Sequence, residues 1–393
     1  MPLAPAPPEM DLEILTVAVY PRLGGMTSWI DQVAHGLARL GWRVRLIGIS
    51  DDFSSVYDNA PFETIHLPMV SPERDRFGPL SRLARWREAH RMLLKWCKDQ
   101  PKPRLRLSDS TPGVLQTTRR LSQDDQVPWA VLAGGDIFSE TKGAPLSPLL
   151  HSRLRSHLNA AKSIFVDGPD LRESLGRSGI ARDKLHVLYH GVSEEAFSVS
   201  SDPPEFFSHD SGPRLAWHGR HVEDAGPFRF LEILKRIPDA QGLLAGDGPL
   251  RPEILERIQP FGNRCAWVGP LPPPDLGRFL AEGQFGVYPL RNMAGVPRVL
   301  LESMAAGLVT LTLETGACRE LIRHGENGLV CRDESDMAAT LEGLHRNPEA
   351  RRSIGLAACE TIRSQWSEEA SIRATARAFE ELLGASGLRG RQP

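Results

Sequence analysis

Residues 294–307 read AGVPRVLLESMAAG, an almost unbroken apolar run with one carboxylate, Glu302, in its middle. Taking a carboxylate out of water costs several kcal/mol unless something pairs with it. Pro297 suits the first turn of a helix, where its missing N–H would be unpaired anyway, and Gly307 suits the stop. Glu302 would then lie just beyond an amide-rich helix start, able to accept both hydroxyls of a ribose while a diphosphate rests over the helix N-terminus. Arg298, four residues earlier, is the partner that the chain itself offers. The second residue with evident chemistry is Arg220 in WHGRHVEDAG. A guanidinium at the end of a strand can hold phosphate oxygens bidentately, or it can pair with Glu223 or Asp224. Gly24 and Gly25 in LGGMTS, and Gly246 and Gly248 in AGDGPLR, mark two further turns. Free amides in such turns favour a phosphate, though each is equally readable as a tight turn alone.

The elements that must position these residues follow from the alternation of β-rich runs with segments at helical spacing. EILTVAV (13–19), VRLIGI (44–49) and SIFV (163–166) are strand candidates, and Ile30, Val33, Ala34 and Leu37 share one helical face that Gly41 should end. The polar, Pro-containing stretch 196–213 shows neither period and suits a linker. A second series begins after it, with strands at 214–219, 240–246, 265–269, 285–290 and 308–313. Such alternation predicts parallel sheets covered by helices, which bind ligands at the carboxyl ends of their strands.

Length and composition set the bounds. A chain of 393 residues fits two domains at roughly 150 residues each. A charged fraction of 24% and net charge of −2 carry no general signature for polyanions. The five cysteines lie far apart, with no metal-ligand spacing, and read as reduced thiols. MPLAPAPPEM lacks the order of a signal peptide and no apolar run reaches membrane-spanning length, so the expected setting is cytoplasmic.

Taken together, GG with its helix (24–41), IFVDGPDLRESL (164–175), HGVSEEAF (190–197), HGRHVEDAG (218–226), LLAGDGPLR (243–251), VGPLPPPDL (268–276), GVPRVLLESMAAG (295–307) and HGENGLVC (324–331) resemble glycosyltransferase family 4. The resemblance covers most of the chain. It implies the α/β GT-B fold, two Rossmann-like domains facing each other across a cleft, here 1–195 and 214–365 with a linker at 196–213. Residues 366–393 would form a helix crossing back to the first domain. It further implies a nucleotide-sugar donor, transfer with retained anomeric configuration to a glycan, lipid-linked or small-molecule acceptor, and a place in cell-surface polysaccharide or glycoconjugate synthesis. By the same resemblance Arg220 neutralises the diphosphate and Glu302 binds the ribose. Gly24, Gly25, Gly219, Gly246, Gly269, Gly295, Val296, Pro297 and Arg298 would line the nucleotide sugar. No metal or other cofactor is implied, because basic side chains and helix amides take over a cation's charge.

Three positions depart from the family pattern. Ala294 stands where a donor-sugar Glu is usual, Ala225 where a diphosphate Lys is usual, and Gly134 in LAGGDIF where a His is usual. His218, His221, Arg291 and Asn292 lie near the affected strand ends as substitutes. Two readings follow: an active transferase with an altered donor site, or a catalytically degenerate member acting as a binding or scaffold subunit, in a homo- or heterodimer.

Between Arg74 and Arg106 basic residues far outnumber acidic ones. Leu83, Trp86, His90, Leu93 and Cys97 share a helical face, with Arg82, Arg85, Lys95 and Lys98 nearer the other. This pattern fits a helix on an anionic membrane at its inner face or beside a polyanionic acceptor, and equally an ordinary surface helix packed on its own domain. No base-reading motif accompanies the charge, so nucleic acid is not an expected partner.

Overall fold

The computed structural model describes residues 10–17, 25–49, 57–67, 90–140, 147–193, 206–207 and 212–384. Two compact units divide the chain: the first comprises Met1–Leu188 and Ile372–Pro393, the second Tyr189–Ser371.

In the first unit the strands are β1 (Met10–Thr16), β2 (Val44–Ile49), β3 (Glu63–Leu67), β4 (Pro103–Asp109), β5 (Trp129–Ala133), β6 (Ser163–Val166) and β7 (Leu185–Val187). They form one sheet in the order β3-β2-β1-β4-β5-β6-β7, every pair parallel. The helix Gly25–Arg39 follows β1 and buries Ile30, Val33, Ala34 and Leu37 completely, as their spacing requires. It ends at Gly41, whose φ of +83° is the left-handed conformation that glycine adopts without strain. The C-terminal helix Glu368–Leu383 contributes Ile372, Ala376 and Phe379 to the same core. Gly36 permits that packing, since a Cβ there would fall 2.4 Å from Ile372 Cγ1.

β1 begins three residues earlier than its apolar pattern suggests, because Asp11 and Glu13 are buried and paired rather than solvent-facing. Glu13 accepts from Arg106 Nε at 2.8 Å and from Arg45 Nη1 at 3.3 Å. Arg45 also donates to Glu63 at 2.8 Å, and Arg106 lies 2.7 Å from Asp125. The neighbouring strands β2, β1 and β4 thus carry a buried row of alternating charge, Arg45, Glu13 and Arg106, whose ends meet the exposed Glu63 and the helix residue Asp125.

The second unit contains β8 (Arg214–His218), β9 (Gln241–Ala245), β10 (Cys265–Gly269), β11 (Phe285–Tyr288), β12 (Val309–Leu313) and β13 (Leu329–Cys331). They form a parallel sheet in the order β10-β9-β8-β11-β12-β13. Its core runs from Leu215 and Trp217 through Phe230, Phe285 and Leu301 to Ile362.

The unit boundaries differ from 195 and 366, for a local reason. Val192 N donates to Trp366 O and Glu368 N to Val192 O, at 3.0 Å each, so residues 189–193 belong with the second unit and the return comes at Ile372. Phe206 and Phe207, expected in a linker, donate backbone N–H groups to Glu282 Oε2 at 2.6 and 3.2 Å, and Phe207 is buried in the second core. Residues 194–205 and 208–211 lie outside the described residues. All five cysteines are free, and no helix among the described residues is long and apolar enough to cross a membrane.

Candidate functional site

The Glu302 carboxylate is satisfied by the protein itself. Arg298 Nε donates to Oε1 at 2.8 Å and His218 Nε2 to Oε2 at 2.8 Å. Of the partners that the spacing left open, a ligand diol or Arg298, the second is engaged, and His218 adds one that the spacing did not offer. The reason is one of placement: Pro297 caps the helix Arg298–Ala305 instead of lying in its first turn, so Arg298 opens the helix one turn before Glu302. His218 comes in from the end of β8. Because an ionised carboxylate only accepts, Nε2 of His218 carries a proton toward Glu302, while Nδ1 shares a hydrogen bond with the Tyr288 hydroxyl at 2.7 Å. Burial by itself would raise the Glu302 pKa; the His218 hydrogen bond and the Arg298 charge outweigh it and hold the acid below its ordinary value. The side chain keeps 13% of its surface exposed, and only two of its roughly four lone-pair directions are used. A ligand hydroxyl can therefore still reach it.

Arg298 also donates through Nη1 to Gly191 O at 3.2 Å, which ties the helix start to the HG pair at 190–191. His190 beside it is buried, and burial followed by the Arg298 charge lowers its pKa to about 3, so it stays neutral.

The strand-end glycines gather around this helix start. Gly219 lies against its first turn, since an added Cβ would be 3.5 Å from Val299 Cγ1. Gly246, with φ +115°, passes so close to Gly219 that a Cβ would sit 2.0 Å from Gly219 O. Gly246 N in turn donates to Gly269 O at 2.8 Å. Gly295 and Val296 are buried in the loop before Pro297, and Gly295 O accepts from Ala317 N at 2.9 Å. Eight of the sites named from sequence, Gly219, Gly246, Gly269, Gly295, Val296, Pro297, Arg298 and Glu302, thus belong to the second unit's strand-end region. Arg220 follows Gly219 and is exposed. Of the acids beside it, Glu223 lies 3.8 Å from Arg229, and Asp224 accepts from Asn292 at 3.1 Å.

Gly25 opens the first helix of the first unit, while Gly24 lies outside the described residues. Asp109 was not singled out from sequence, although it holds the carboxyl end of β1: Oδ2 accepts from Thr16 Oγ1 at 2.6 Å and from Val17 N at 3.0 Å. Its place as the last residue of β4, at the carboxyl end of a parallel strand, is the signal that could have found it.

The departing positions differ in setting. Ala225 is buried in the second core, and its carbonyl accepts from Trp217 Nε1 at 3.3 Å. Ala294 is half-buried, and Gly134 is exposed. Among the substitutes, His218 is committed to Glu302, His221 is fully buried, Arg291 pairs with Glu334 at 2.9 Å, and Asn292 bonds Asp224. Among the described residues no group of His, Cys, Asp and Glu could hold a metal ion.

Arg74, Arg76, Arg82, Leu83, Arg85 and Trp86 lie outside the described residues. Over 90–98 the helix exists, with Leu93 and Cys97 buried against Leu15, Ile47 and Val114. The described part of that apolar face therefore packs on its own unit, leaving Arg91, Lys95 and Lys98 exposed.

Two parallel, doubly wound sheets with glycine turns at their strand ends define a pair of Rossmann-like domains of the GT-B kind. Family models agree: residues 24–191 match a glycosyl transferase 4-like domain and residues 212–347 match glycosyl transferases group 1. The chain belongs to this glycosyltransferase family. It is 26% identical to a Vi polysaccharide biosynthesis protein of Salmonella typhi over 38% of this chain and 28% of that one, so it spans well under two thirds of that relative. It is 24% identical to a phosphatidyl-myo-inositol mannosyltransferase of Mycolicibacterium smegmatis over 88% and 87% of the two chains. Among solved structures, sucrose-phosphate synthase from Thermosynechococcus elongatus superposes with a TM-score of 0.82 at 17% identity, covering 96% of this chain and 100% of that one. HepE of Anabaena, in complex with UDP and glucose, superposes at 0.74 and 14% identity, covering 94% and 99%.

Proposed function

We propose that the chain is an active glycosyltransferase that takes a sugar from a nucleotide-sugar donor and passes it, with anomeric configuration retained, to a glycan, lipid-linked or small-molecule acceptor in cell-surface polysaccharide or glycoconjugate synthesis. The observation that carries this reading is the buried, ionised Glu302 one turn into a helix whose start lies against the strand-end Gly219. Its unused lone pairs suit a ribose diol. The amides of the first helical turn and the exposed Arg220 suit a diphosphate whose charge grows as the sugar leaves. On this reading Arg220 and the amides supply what a cation would, so turnover survives a chelator. That HepE binds UDP makes uridine the first nucleotide to try.

Calorimetry against uridine, guanosine, adenosine and thymidine diphosphates tests it. One of them should bind, and Glu302→Ala should weaken that binding about 10- to 100-fold, the worth of charge-assisted hydrogen bonds. No binding across the panel overturns the reading. The alternative, a binding or scaffold subunit, is favoured by the engagement of His218, Arg291 and Asn292 with acidic side chains of the protein. Labelled donors incubated with a membrane extract separate the two. Transfer by the isolated chain, lost in Glu302→Ala, rejects the scaffold; sustained inactivity beside a stoichiometric partner rejects the enzyme.

A further inference from the structure

At the strand ends of the first unit one acidic side chain stands without a role in what has been described. Ala133 pairs with Val166 in the β5–β6 register, so Gly134 and Asp167 are the next residues out, side by side at the carboxyl ends of adjacent strands. Asp167 is only 6% exposed, and its Oδ1 has no hydrogen-bond partner. Gly134 beside it is exposed, which leaves the two strand ends open at that point. A Cβ on Gly134 would lie 3.8 Å from Asp167 Oδ2, 3.0 Å from Met26 Cε and 3.9 Å from Trp29 Cε3. The space that a side chain at 134 would fill is therefore bounded by one carboxyl group, a thioether and an indole edge.

A buried polar atom left unpartnered is costly, and such atoms persist where a ligand completes them. Resting on the glycosyltransferase reading, we propose that Asp167 is a sugar-binding residue: with Gly134 leaving room, its carboxyl group hydrogen-bonds a hydroxyl of an uncharged sugar ring at the first unit's strand ends. The chemistry selects that ligand class. Burial, reinforced by the nearby Asp170, pushes the Asp167 carboxyl up to about 8, so at neutral pH it carries a proton and offers one donor and further acceptor capacity. A sugar hydroxyl, itself donor and acceptor, matches both. A phosphate matches less well, because Asp170 would repel it. Trp29 and Met26 supply apolar surface suited to the C–H face of a sugar ring.

The hydroxyl can belong to the donor sugar or to the acceptor, and two arms distinguish them. Wild type, Asp167→Ala and Asp167→Asn are titrated with uridine diphosphate and UDP-glucose, then with methyl α-glucoside and methyl α-mannoside in the presence of uridine diphosphate; guanosine or adenosine forms replace uridine if the panel above selects them. Asp167→Ala should leave affinity for the bare diphosphate unchanged. It should weaken either the sugar conjugate or the free glycosides about 5- to 10-fold, the loss for one neutral hydrogen bond. Asp167→Asn, which still donates and accepts, should lose less. Thermal melting supplies a readout without ligand: removing an unpartnered buried acid should leave the midpoint unchanged or raise it. Unchanged sugar affinity in both arms, or a lowered melting midpoint in Asp167→Ala, overturns the proposal alone. A wild type that binds no diphosphate takes down the functional reading, and this proposal with it.

Discussion

Gly246 and Gly25 are both glycines at strand-to-helix turns, and they should respond oppositely to a methyl group. Gly246 combines φ +115° with a carbonyl 2.0 Å from the Cβ site, so Gly246→Ala should cost at least about 2 kcal/mol and abolish diphosphate binding. Gly25 has nothing within 4 Å of that site, and Gly25→Ala should stay within about 0.5 kcal/mol by urea unfolding. A comparable loss at both positions would contradict the described backbone. Asp167 sets a stability slope whose sign is fixed. Between the ordinary value of 3.8 and about 8 the folded protein holds a proton that the unfolded chain has released, so stability falls as pH rises through that window and levels off above it. The urea midpoint of Asp167→Asn, followed from pH 4 to 9, should lack this decline; slopes identical to wild type would refute it. Glu302 acts in the other direction. Its depressed pKa contributes stability above the ordinary 4.5 that is lost as pH falls through the folded value. From sequence, the i,i+4 spacing of Arg298 and Glu302 was legible as one of two options. The reach of His218 and Tyr288 across β8 and β11 was not, because contact between neighbouring strands leaves no mark at a fixed spacing.

Elements were legible where the apolar period was clean, as in Gly25–Arg39 and the strands of the second unit, and blurred where charge entered a strand. Arg45 and Arg106 look like solvent-facing alternation, but both lie in the buried ladder with Glu13, at 3% and 1% exposure. Only the strand order places opposite charges on neighbouring strands, and strand order is not written in any local window. Arg106→Met, which leaves Glu13 with Arg45 alone and takes the guanidinium from Asp125, should destabilise the protein by about 3 kcal/mol. Replacing Glu13, Arg45 and Arg106 together by Leu, Met and Met should recover most of that loss, which denaturant unfolding of both variants checks. If the triple variant is the weaker, the ladder adds net stability. The basic helix gives a surface test at the same scale. With Leu93 and Cys97 turned inward, any affinity of the described part for anionic vesicles must come from Arg91, Lys95 and Lys98. Lys95→Glu with Lys98→Glu should then reduce low-salt vesicle cosedimentation several-fold, by about 1 kcal/mol per charge. Wild type that ignores such vesicles leaves this an ordinary packed helix.

The described residues form two sheets, one in each unit, but only the second unit is drawn from one continuous stretch. Phe379, fully buried between Trp42 and Phe165 at 6.2 and 5.5 Å between ring centroids, belongs to the core of a unit whose other strands all precede residue 188. Phe379→Ala should cost about 3–5 kcal/mol and act on the first unit alone, so a hydrogen-exchange map should show faster exchange in β1–β7 and little change in β8–β13. Equal loosening of both units would refute that localisation. The resemblance to a family made this return legible as a helix; its joining point at Ile372 depended on the Val192–Ser367 bridge, which no periodicity encodes. During synthesis the arrangement reverses the usual order of maturation. The N-terminal half leaves the ribosome first but waits, lacking Ile372 and Phe379, until the last few dozen residues are translated, while residues 189–371 can already close their own core. A released chain truncated after Ser371 should therefore show a protease-resistant second unit and a still-sensitive first one, and a stop codon just before Ile372 would leave the protein half-made.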